Sequence, residues 1–384
     1  MFLNVPSPED TAFHIFHRKL WMTALAFLGP EFIFQISLGQ YLSARRSIKA
    51  FHESGETRWM MAHGFFADMG YVEFPKLNKE NIEDKNKIDM LLRALTLFQI
   101  LFFLANTAGR QAQNLNITVG ELTTVAFVVV SMGTMWCLHH KPAEISIPEI
   151  VVSNTSIAEI VLRAENAVDV PYIQTPLDFI SRVDFPWSRY WSNWINILRQ
   201  MGIVFGPQVR PVCRFENTNF LVLPGYTEFI FVFMSMLYSA LFICGWNYDF
   251  PTRTEQVLWR TASVTMMVTI LLRWVITEFA FTLYPKHQKK LDVENGKEAK
   301  TAPSADGGWL MKKIRFAAAC IRNNSVSKDP GLAVPLKAIL PVYLCCFFYC
   351  CSRTYLLIAD VFQLRSLRPS AYDTVRWLDY VPHF

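Results

Sequence analysis

The sequence predicts an all-α fold, a polytopic transmembrane helical bundle of about six spans with interfacial amphipathic helices beside it. Hydrophobic residues make up 52% of the 384-residue chain and aromatic residues 14%, which exceeds the usual apolar content of soluble domains. Six apolar stretches each come close to the length of about 20 residues that a helix needs to cross a bilayer. Because backbone N–H and C=O groups must be paired inside lipid, each stretch is expected to be helical.

The predicted spans cover residues 20–42, 90–108, 118–138, 226–246, 257–284 and 338–358. Gly29 and Pro30 interrupt the first of them, and a proline at that position predicts a kinked helix. The whole chain is expected to form a single membrane domain.

The connections between the spans indicate how the chain is oriented. Three long connections alternate with two short ones, so the long ones share one side of the membrane. Arg45, Arg46 and Lys289 belong to lysine- and arginine-rich segments of these connections, which marks that side as cytoplasmic. We therefore expect the sequons at Asn154 and Asn323 to remain without glycan.

Two segments outside the spans are predicted to lie on the membrane surface. Residues 185–204, within the cytoplasmic connection 139–225, repeat apolar and aromatic residues at steps of three and four. An interfacial amphipathic helix fits this pattern, and a re-entrant helix or seventh span is the alternative. Residues 309–321 mix apolar bulk with lysine and arginine, which suits anionic lipid headgroups. Residues 291–308 have the composition of a flexible linker.

Composition excludes several classes of function. The modest net charge of +5 is not spread evenly and bears on which loops stay in the cytoplasm, so the chain is not expected to bind nucleic acid. No cysteine and histidine spacing resembles a zinc site, and no pair of intramembrane histidines is spaced for haem, so neither a metal nor a cofactor is expected. The expected partners are membrane lipids, a lipophilic small molecule and enzymes of its pathway. The expected location is a secretory-pathway membrane, either the endoplasmic reticulum or the plasma membrane.

Four ionisable residues lie deep in the predicted spans and are the main candidates for chemistry, because such residues usually face a bundle interior or a wet cavity. Glu31 and Glu278 are candidate catalytic acids, and Arg273 and Arg353 are candidate anchors for a polar end of a substrate. The competing interpretation is a buried Glu–Arg pair, Glu31 with either arginine, that only fixes the helix register. Other charged residues of the spans, including Asp360, lie near the predicted ends and can reach the interface.

Two loops supply weaker candidates. His63 and Asp68 lie five residues apart among glycines in the first cytoplasmic connection, where a tight turn could pair a base with a carboxylate. A structural hydrogen bond between them is the competing interpretation. Asp249 lies between the fourth and fifth spans, either as a turn former or as an acid at the mouth of a substrate site.

Six stretches together resemble a large, mostly uncharacterised family of filamentous-fungal polytopic membrane proteins. They are GPEFIFQ, RWMMAHGFFADMG, GELTTVAF, HHKPAEISIP, FICGWNYDFPTRTEQVLWRTAS and LRSLRPSAYDTVRWLDYVPHF. The resemblance runs from Gly29 to Phe384 and implies a fungal origin and a membrane location, without a reaction. Its association with biosynthetic genes implies a role in lipophilic secondary metabolism.

The two functional hypotheses belong to different classes. The first is an accessory membrane protein of fungal secondary metabolism that binds or acts on a terpenoid or polyketide-like molecule, with acid–base chemistry such as cyclisation or isomerisation. The second is a non-enzymatic membrane transporter, sensor or scaffold. Because no sequence repeat relates the two halves of the chain, transport is the weaker version of the second hypothesis.

Overall fold

A computed structural model describes residues 11–68, 79–141, 193, 197, 223, 225–280, 309–322 and 334–377. Within these residues the chain forms nine α-helices and no strand. They are α1 (Ala12–Leu28), α2 (Pro30–Glu53), α3 (Met61–Asp68), α4 (Lys79–Ala112), α5 (Val119–Leu138), α6 (Tyr226–Cys244), α7 (Arg253–Glu278), α8 (Trp309–Arg322) and α9 (Leu336–Phe362).

The predicted all-α membrane bundle is confirmed. Five helices, α4, α5, α6, α7 and α9, are long and apolar enough to cross a membrane. Each of them coincides with one of the last five predicted spans. The linker 291–308 and the sequons at Asn154 and Asn323 lie outside the described residues, and so does the predicted interfacial helix 185–204 apart from Asn193 and Ile197.

The first predicted span is two helices rather than one kinked helix. α1 and α2 meet at Gly29 with a bend of 114°. Pro30 occupies the first turn of α2, where its missing N–H costs no helical hydrogen bond. Gly29 accommodates the close approach of the next turn, since a Cβ there would lie 2.5 Å from the Phe32 ring. The sequence predicted a kink at this point, and the structure has a sharp bend between two separate helices there.

The core of the bundle lies where α9 packs along α7, with α6 between α5 and α7 and with α2 against α5. Tyr238, Phe242, Trp259, Met266, Val342 and Leu356 are among its fully buried side chains. The indole N–H of Trp259 donates to the Phe242 carbonyl at 3.1 Å, so α7 is tied to α6 by a buried hydrogen bond. α4 lies apart from this core, and the most apolar part of its span is unburied in the described structure.

An arginine of α4 contributes contacts at each end of the bundle. Arg93, in α4, donates to the carbonyls of Leu138 (3.3 Å), His139 (2.5 Å) and Lys141 (2.6 Å) at the end of α5. We call this the loop end, because the long connections leave from it. Arg110, at the other end of α4, donates to carbonyls in residues 370–373, and we call this the C-terminal end.

Candidate functional site

Glu31 is the central polar residue of the bundle. It lies in the first turn of α2 and is 2% exposed. The Tyr349 hydroxyl of α9 donates to Glu31 Oε1 and lies 3.3 Å from the Leu28 carbonyl, so it joins the broken α1–α2 pair to α9. The positive end of the α2 dipole also favours a negative charge at this position.

Arg353 lies one turn beyond Tyr349 on α9 and is fully buried. Its Nε and Nη2 groups both donate to the Phe27 carbonyl at 3.3 Å. Its guanidinium carbon lies 4.8, 5.1 and 5.5 Å from the ring centroids of Phe127, Phe242 and Tyr238. The faces of these three rings stabilise the cation by cation–π attraction.

Arg273 reaches the same region from α7 and is 8% exposed. Both Arg273 and Arg353 act electrostatically on Glu31. The direct hydrogen bond to the Glu31 carboxylate comes from Tyr349, a residue that sequence reasoning did not select. The sequence predicted that Glu31 pairs with either Arg273 or Arg353. In the structure both arginines act on Glu31 through their charge, and Tyr349 supplies the hydrogen bond.

An apolar cavity of about 390 Å³ adjoins this polar cluster, between α1, α2, α6, α7 and α9. Glu31, Arg273 and Tyr349 form the main polar part of its wall. Trp21, Leu28 and Phe347 also line it and are 40%, 40% and 61% exposed. Since these three side chains face the lipid-exposed exterior of the bundle, the cavity opens sideways towards the bilayer. Its volume falls in the range of ordinary small-molecule sites.

Glu278 does not contribute to this cavity, contrary to its prediction as a deep acid. α7 ends at Glu278, whose carboxyl group hydrogen-bonds Glu228 in the first turn of α6. The Trp274 indole donates to the same Glu228 at 3.1 Å. The misplacement has a simple cause, because the predicted span ran on to residue 284 and so placed Glu278 too far from the helix end.

Asp249 is also remote from the cavity. It forms an ion pair of 2.7 Å with Arg368, and both side chains are about 60% exposed at the C-terminal end. Its backbone carbonyl accepts from Gln363 at 3.0 Å. The prediction of a substrate-binding Asp249 is not supported by this position, since an exposed surface pair of this kind positions the chain and does not face a cavity.

His63 and Asp68 do not form a pair. They belong to α3, a helix rather than the expected tight turn, and residues five apart on a helix face different directions. His63 Nδ1 accepts from the Met60 N–H at 3.1 Å, and its ring packs on Trp59. Asp68 is buried against α2, where it accepts from the Ser43 hydroxyl at 3.2 Å.

Asp68 instead belongs to a buried polar cluster at the loop end. Lys141 is 2% exposed, and its Nζ donates to Gln40 Oε1 at 2.9 Å. Burial raises the pKa of Asp68 to about 7, against the opposing effects of Ser43, Lys141 and Arg46. Burial likewise lowers the pKa of Lys141 to about 8, opposed by Asp68. This cluster joins α2, α3 and the end of α5.

Sequence reasoning missed the aromatic half of the central site. Tyr238, Phe127 and Phe242 are three of many aromatic residues in the spans, and nothing in their spacing distinguishes them. Tyr349 could have been found, because it precedes Arg353 by one helical turn on the same face of α9. Asp360 lies on that face as well and accepts from the Thr123 hydroxyl of α5 at 2.9 Å, so it points into the bundle and not to the interface.

The fold and site define a polytopic α-helical membrane protein with charged residues buried at its centre. Residues 227–384 match a family of unknown function (DUF8562). This region includes Arg273, Tyr349 and Arg353, whereas Glu31 comes from outside it. No curated protein and no solved structure matches the chain.

Proposed function

We propose that this membrane protein binds a lipophilic small molecule with a polar end in the cavity beside Glu31. One observation carries the proposal. The cavity is apolar, opens towards lipid and ends on Glu31, Arg273 and Tyr349. Binding sites for small apolar ligands share this arrangement, in which apolar walls supply affinity and a few polar groups fix the orientation.

The charges of the site favour a polar end without net charge. Glu31 and Asp360 contribute two carboxyl groups, and Arg273 and Arg353 contribute two guanidinium groups, so the cluster is balanced when all are ionised. A hydroxyl or carbonyl group of a terpenoid or polyketide-like molecule fits this balance. A free carboxylate or phosphate would bring an uncompensated charge into a low-dielectric interior.

Glu31 is placed to exchange a proton with such a ligand. Tyr349 occupies its Oε1, whereas its buried Oε2 has no hydrogen-bond partner among the described residues. An ionised Glu31 can take a proton from a carbon beside a carbonyl group of the ligand, and the acid formed can return that proton to a different carbon of the same molecule. Isomerisation or cyclisation by this route is balanced and needs no cofactor.

We extend the proposal to its biological setting. The resemblance to fungal membrane proteins supports a role in lipophilic secondary metabolism, in a secretory-pathway membrane such as the endoplasmic reticulum or plasma membrane, alongside the enzymes of that pathway. The test is deletion of the gene, followed by mass spectrometry of organic extracts. Loss of one lipophilic compound with accumulation of its precursor is expected, whereas an unchanged profile while the gene is expressed contradicts this setting.

The binding proposal is tested on the protein itself. Wild-type protein purified from its host membrane should carry a co-purifying lipophilic compound that solvent extraction and mass spectrometry detect. Glu31→Gln should lose the compound or retain the precursor, because its side chain can no longer carry a negative charge or donate an acid proton. The matched control is Glu53→Gln at the exposed end of the same helix, where Glu53 pairs with Lys49 at 3.7 Å. Absence of any compound from wild type, or its retention by Glu31→Gln unchanged, contradicts the proposal.

Transport of the same molecule is the second candidate, and the break between α1 and α2 favours it. Broken membrane helices place helix ends at a ligand, as Pro30 and Glu31 do here at the start of α2. The two candidates differ in one observation. An enzyme changes the mass or connectivity of the compound added to purified protein, whereas a transporter moves it unchanged across the membrane of a reconstituted vesicle.

A further inference from the structure

A second cavity lies between α4 on one side and α1, α2 and α5 on the other. Its volume is about 1100 Å³, and among the described residues it shares no lining side chain with the cavity at Glu31. Phe27, Met132 and Trp136 line it and are 58%, 40% and 60% exposed. Because these apolar side chains belong to helices of the membrane bundle, the cavity opens towards the bilayer. We call it the α4 groove.

The α4 groove exists because α4 is attached to the bundle close to both of its ends. Arg93 binds carbonyls at the end of α5, and Arg110 binds carbonyls in residues 370–373. These two attachments lie about 25 Å apart along the helix, and the apolar span of α4 is unburied in the described structure. A helix held in this way does not move onto the core. Since protein interiors are closely packed, the space behind α4 needs an occupant, and inside a bilayer that occupant is a lipid.

The walls of the α4 groove are apolar along most of their length. Ser37, Thr96 and Thr134 line it, and each hydroxyl group donates to the carbonyl four residues earlier in its own helix, at 2.8, 2.8 and 3.0 Å. Hydroxyl groups that are bonded within their own helix offer little to a polar ligand. Ile33 and Leu97 are among the apolar residues beside them. This wall suits acyl chains, which bring no hydrogen-bonding groups.

The polar side chains Gln40, Arg93 and His139 mark one end of the groove. Arg93 donates to the His139 carbonyl at 2.5 Å, and Gln40 accepts from Lys141 at 2.9 Å, so all three lie at the loop end. Along α5 the groove runs from Phe127 to His139, a length of about 18 Å. The hydrocarbon core of a bilayer is about 30 Å thick. The groove therefore spans one leaflet, from the centre of the bilayer to the headgroups at the loop end.

The charge at this end favours an anionic headgroup. Among the described residues, the groove wall contains Arg93 and no acidic side chain. The ammonium group of Lys141 lies directly behind Gln40, and Asp68 is the described acid that acts on it. The carbonyls at the end of α5 fix the guanidinium group of Arg93 beside the groove. Guanidinium groups are well suited to phosphate oxygens. The loop end is also the predicted cytoplasmic side, whose leaflet carries the anionic phospholipids.

We propose that the α4 groove binds one glycerophospholipid from the leaflet at the loop end. Its acyl chains lie along the apolar walls of α2, α4 and α5, and its phosphate lies beside Arg93 and Gln40. The lipid thereby fills the space between α4 and the core. A sterol or a wholly apolar molecule would bring no anion to the arginine. The inference stands independently of the proposed function, because the cavity at Glu31 is a separate one and favours a polar end without net charge.

The test is native mass spectrometry of the full-length protein, extracted from its host membrane in detergent. Wild type should retain one phospholipid per chain through detergent washes that remove the surrounding lipids, and fragmentation should identify its phosphate headgroup. Ala94→Trp should lose this lipid, because Ala94 lines the groove on α4 and an indole ring would fill the space. The matched control is Ala105→Trp, which should keep the lipid. Ala105 is exposed on the same face of α4, three turns further along and outside the groove.

A second variant and a measurement on wild type complete the test. Ser131→Trp fills the groove from the opposite wall, on α5, and should also lose the lipid, so it decides the matter if Ala94→Trp does not fold. Wild type stripped of lipid is then offered mixed micelles of phosphatidylglycerol and of diacylglycerol with the same acyl chains. Phosphatidylglycerol should be bound in at least ~10-fold excess, the ratio that one hydrogen bond to a charged group supports.

Four results would overturn the inference. They are a wild type that retains no phospholipid, a phospholipid kept by folded Ala94→Trp or Ser131→Trp, its equal loss from Ala105→Trp, and equal uptake of diacylglycerol and phosphatidylglycerol. Size-exclusion chromatography establishes which variants are folded. Glu31→Gln should keep the phospholipid, so this variant separates the two proposals. Loss of the compound alone leaves the groove inference intact, and absence of the phospholipid alone leaves the proposed function intact.

Discussion

Burial of the Glu31 carboxylate is compensated by three different kinds of group. Tyr349 donates a hydrogen bond, Arg273 and Arg353 supply positive charge, and the first turn of α2 contributes its dipole. Loss of any one of these groups leaves a buried polar atom without its partner, and water cannot easily take the place of that partner. The tyrosine is the most informative of these to remove, because its loss leaves all charges in place.

Tyr349→Phe should lower the free energy of unfolding by about 2 kcal/mol, the scale of a hydrogen bond to a charged group. The ring and its packing remain, so the change reports the hydroxyl alone. The measurement is thermal unfolding of purified protein in detergent. Tyr372→Phe is the matched control, since Tyr372 is 72% exposed at the C-terminal end, and it should unfold as wild type does. Equal stability of Tyr349→Phe and wild type would show that Glu31 does not depend on this bond.

The Asp68–Lys141 cluster predicts a minimum of stability near neutral pH. The pKa of Asp68 rises from 3.8 to about 7 on folding, so between these values the folded state binds more protons and stability falls as pH rises. The pKa of Lys141 falls from 10.5 to about 8, so between 8 and 10.5 the unfolded state binds more protons and stability rises with pH. The contribution of the two groups is therefore lowest between about pH 7 and 8.

Asp68→Asn should remove the falling limb of this profile, because asparagine does not titrate. The measurement is the unfolding temperature from pH 4 to 10 in one detergent. Between pH 4 and neutral pH, the unfolding temperature should fall less for the variant than for wild type. Asp373→Asn, at an exposed position, should retain the wild-type profile. A variant profile that declines as steeply as that of wild type would mean that Asp68 titrates normally in the fold.

At the residue scale, sequence reasoning found the charges and missed their partners. Glu31, Arg273 and Arg353 were predictable because ionisable residues are rare and costly inside spans. Tyr238 was not, because the chain has 13 tyrosines and its role depends on which helices meet. Glu278 was misjudged because its depth depended on the helix end, and helix ends are the least certain part of a hydropathy profile.

At the scale of elements, the spans were predictable from hydropathy and the packing between short helices was not. The break at Gly29 and Pro30 was predictable in position, whereas its angle depends on how α1 and α2 pack. α3 was predicted as a turn, because its glycine suggested a loop. In the structure this glycine lets α3 approach α2 closely, since a Cβ at Gly64 would lie 2.9 Å from Cα, Cβ and O of Ala44.

Gly64→Ala should separate α3 from α2, because the added methyl group meets backbone atoms that cannot rotate away. Overpacking of this kind costs about 1–3 kcal/mol, and it should also pull Asp68 away from Ser43. Thermal unfolding and limited proteolysis of the segment around α3 would detect it. Gly120→Ala is the control, since a Cβ there meets nothing within 4 Å and alanine favours the helix. A Gly64→Ala protein as stable as Gly120→Ala would contradict the close approach.

At the scale of the whole molecule, contacts between segments that are distant in sequence join the helices at both ends of the described bundle. Arg93 holds the loop end by binding the last carbonyls of α5. At the C-terminal end, Gln363 and Arg368 bind the connection before α7, and Val375 packs against Gly109. Sequence reasoning could place Arg93 and Arg110 near helix ends. It could not identify their partners, because these contacts join segments more than 40 residues apart.

Arg110 makes several of the contacts that hold the C-terminal end together. It donates to the carbonyls of Asp373 (2.7 Å), Asn116 (2.7 Å) and Ala371 (3.0 Å), and it pairs with Glu121 at 3.3 Å. Arg110→Gln cannot reach these carbonyls together, so residues 363–377 should detach from α4 while the core between α7 and α9 stays folded.

Hydrogen–deuterium exchange followed by mass spectrometry measures this detachment directly. Amides of residues 370–377 should exchange faster in Arg110→Gln than in wild type, with no change in peptides from α7. Arg376→Gln is the matched control, because residue 376 bonds Gln113 through its backbone and its side chain is exposed. Faster exchange in both variants would assign the effect to lost positive charge, and unchanged exchange in Arg110→Gln would show that Gln363, Arg365 and Arg368 hold the segment without it.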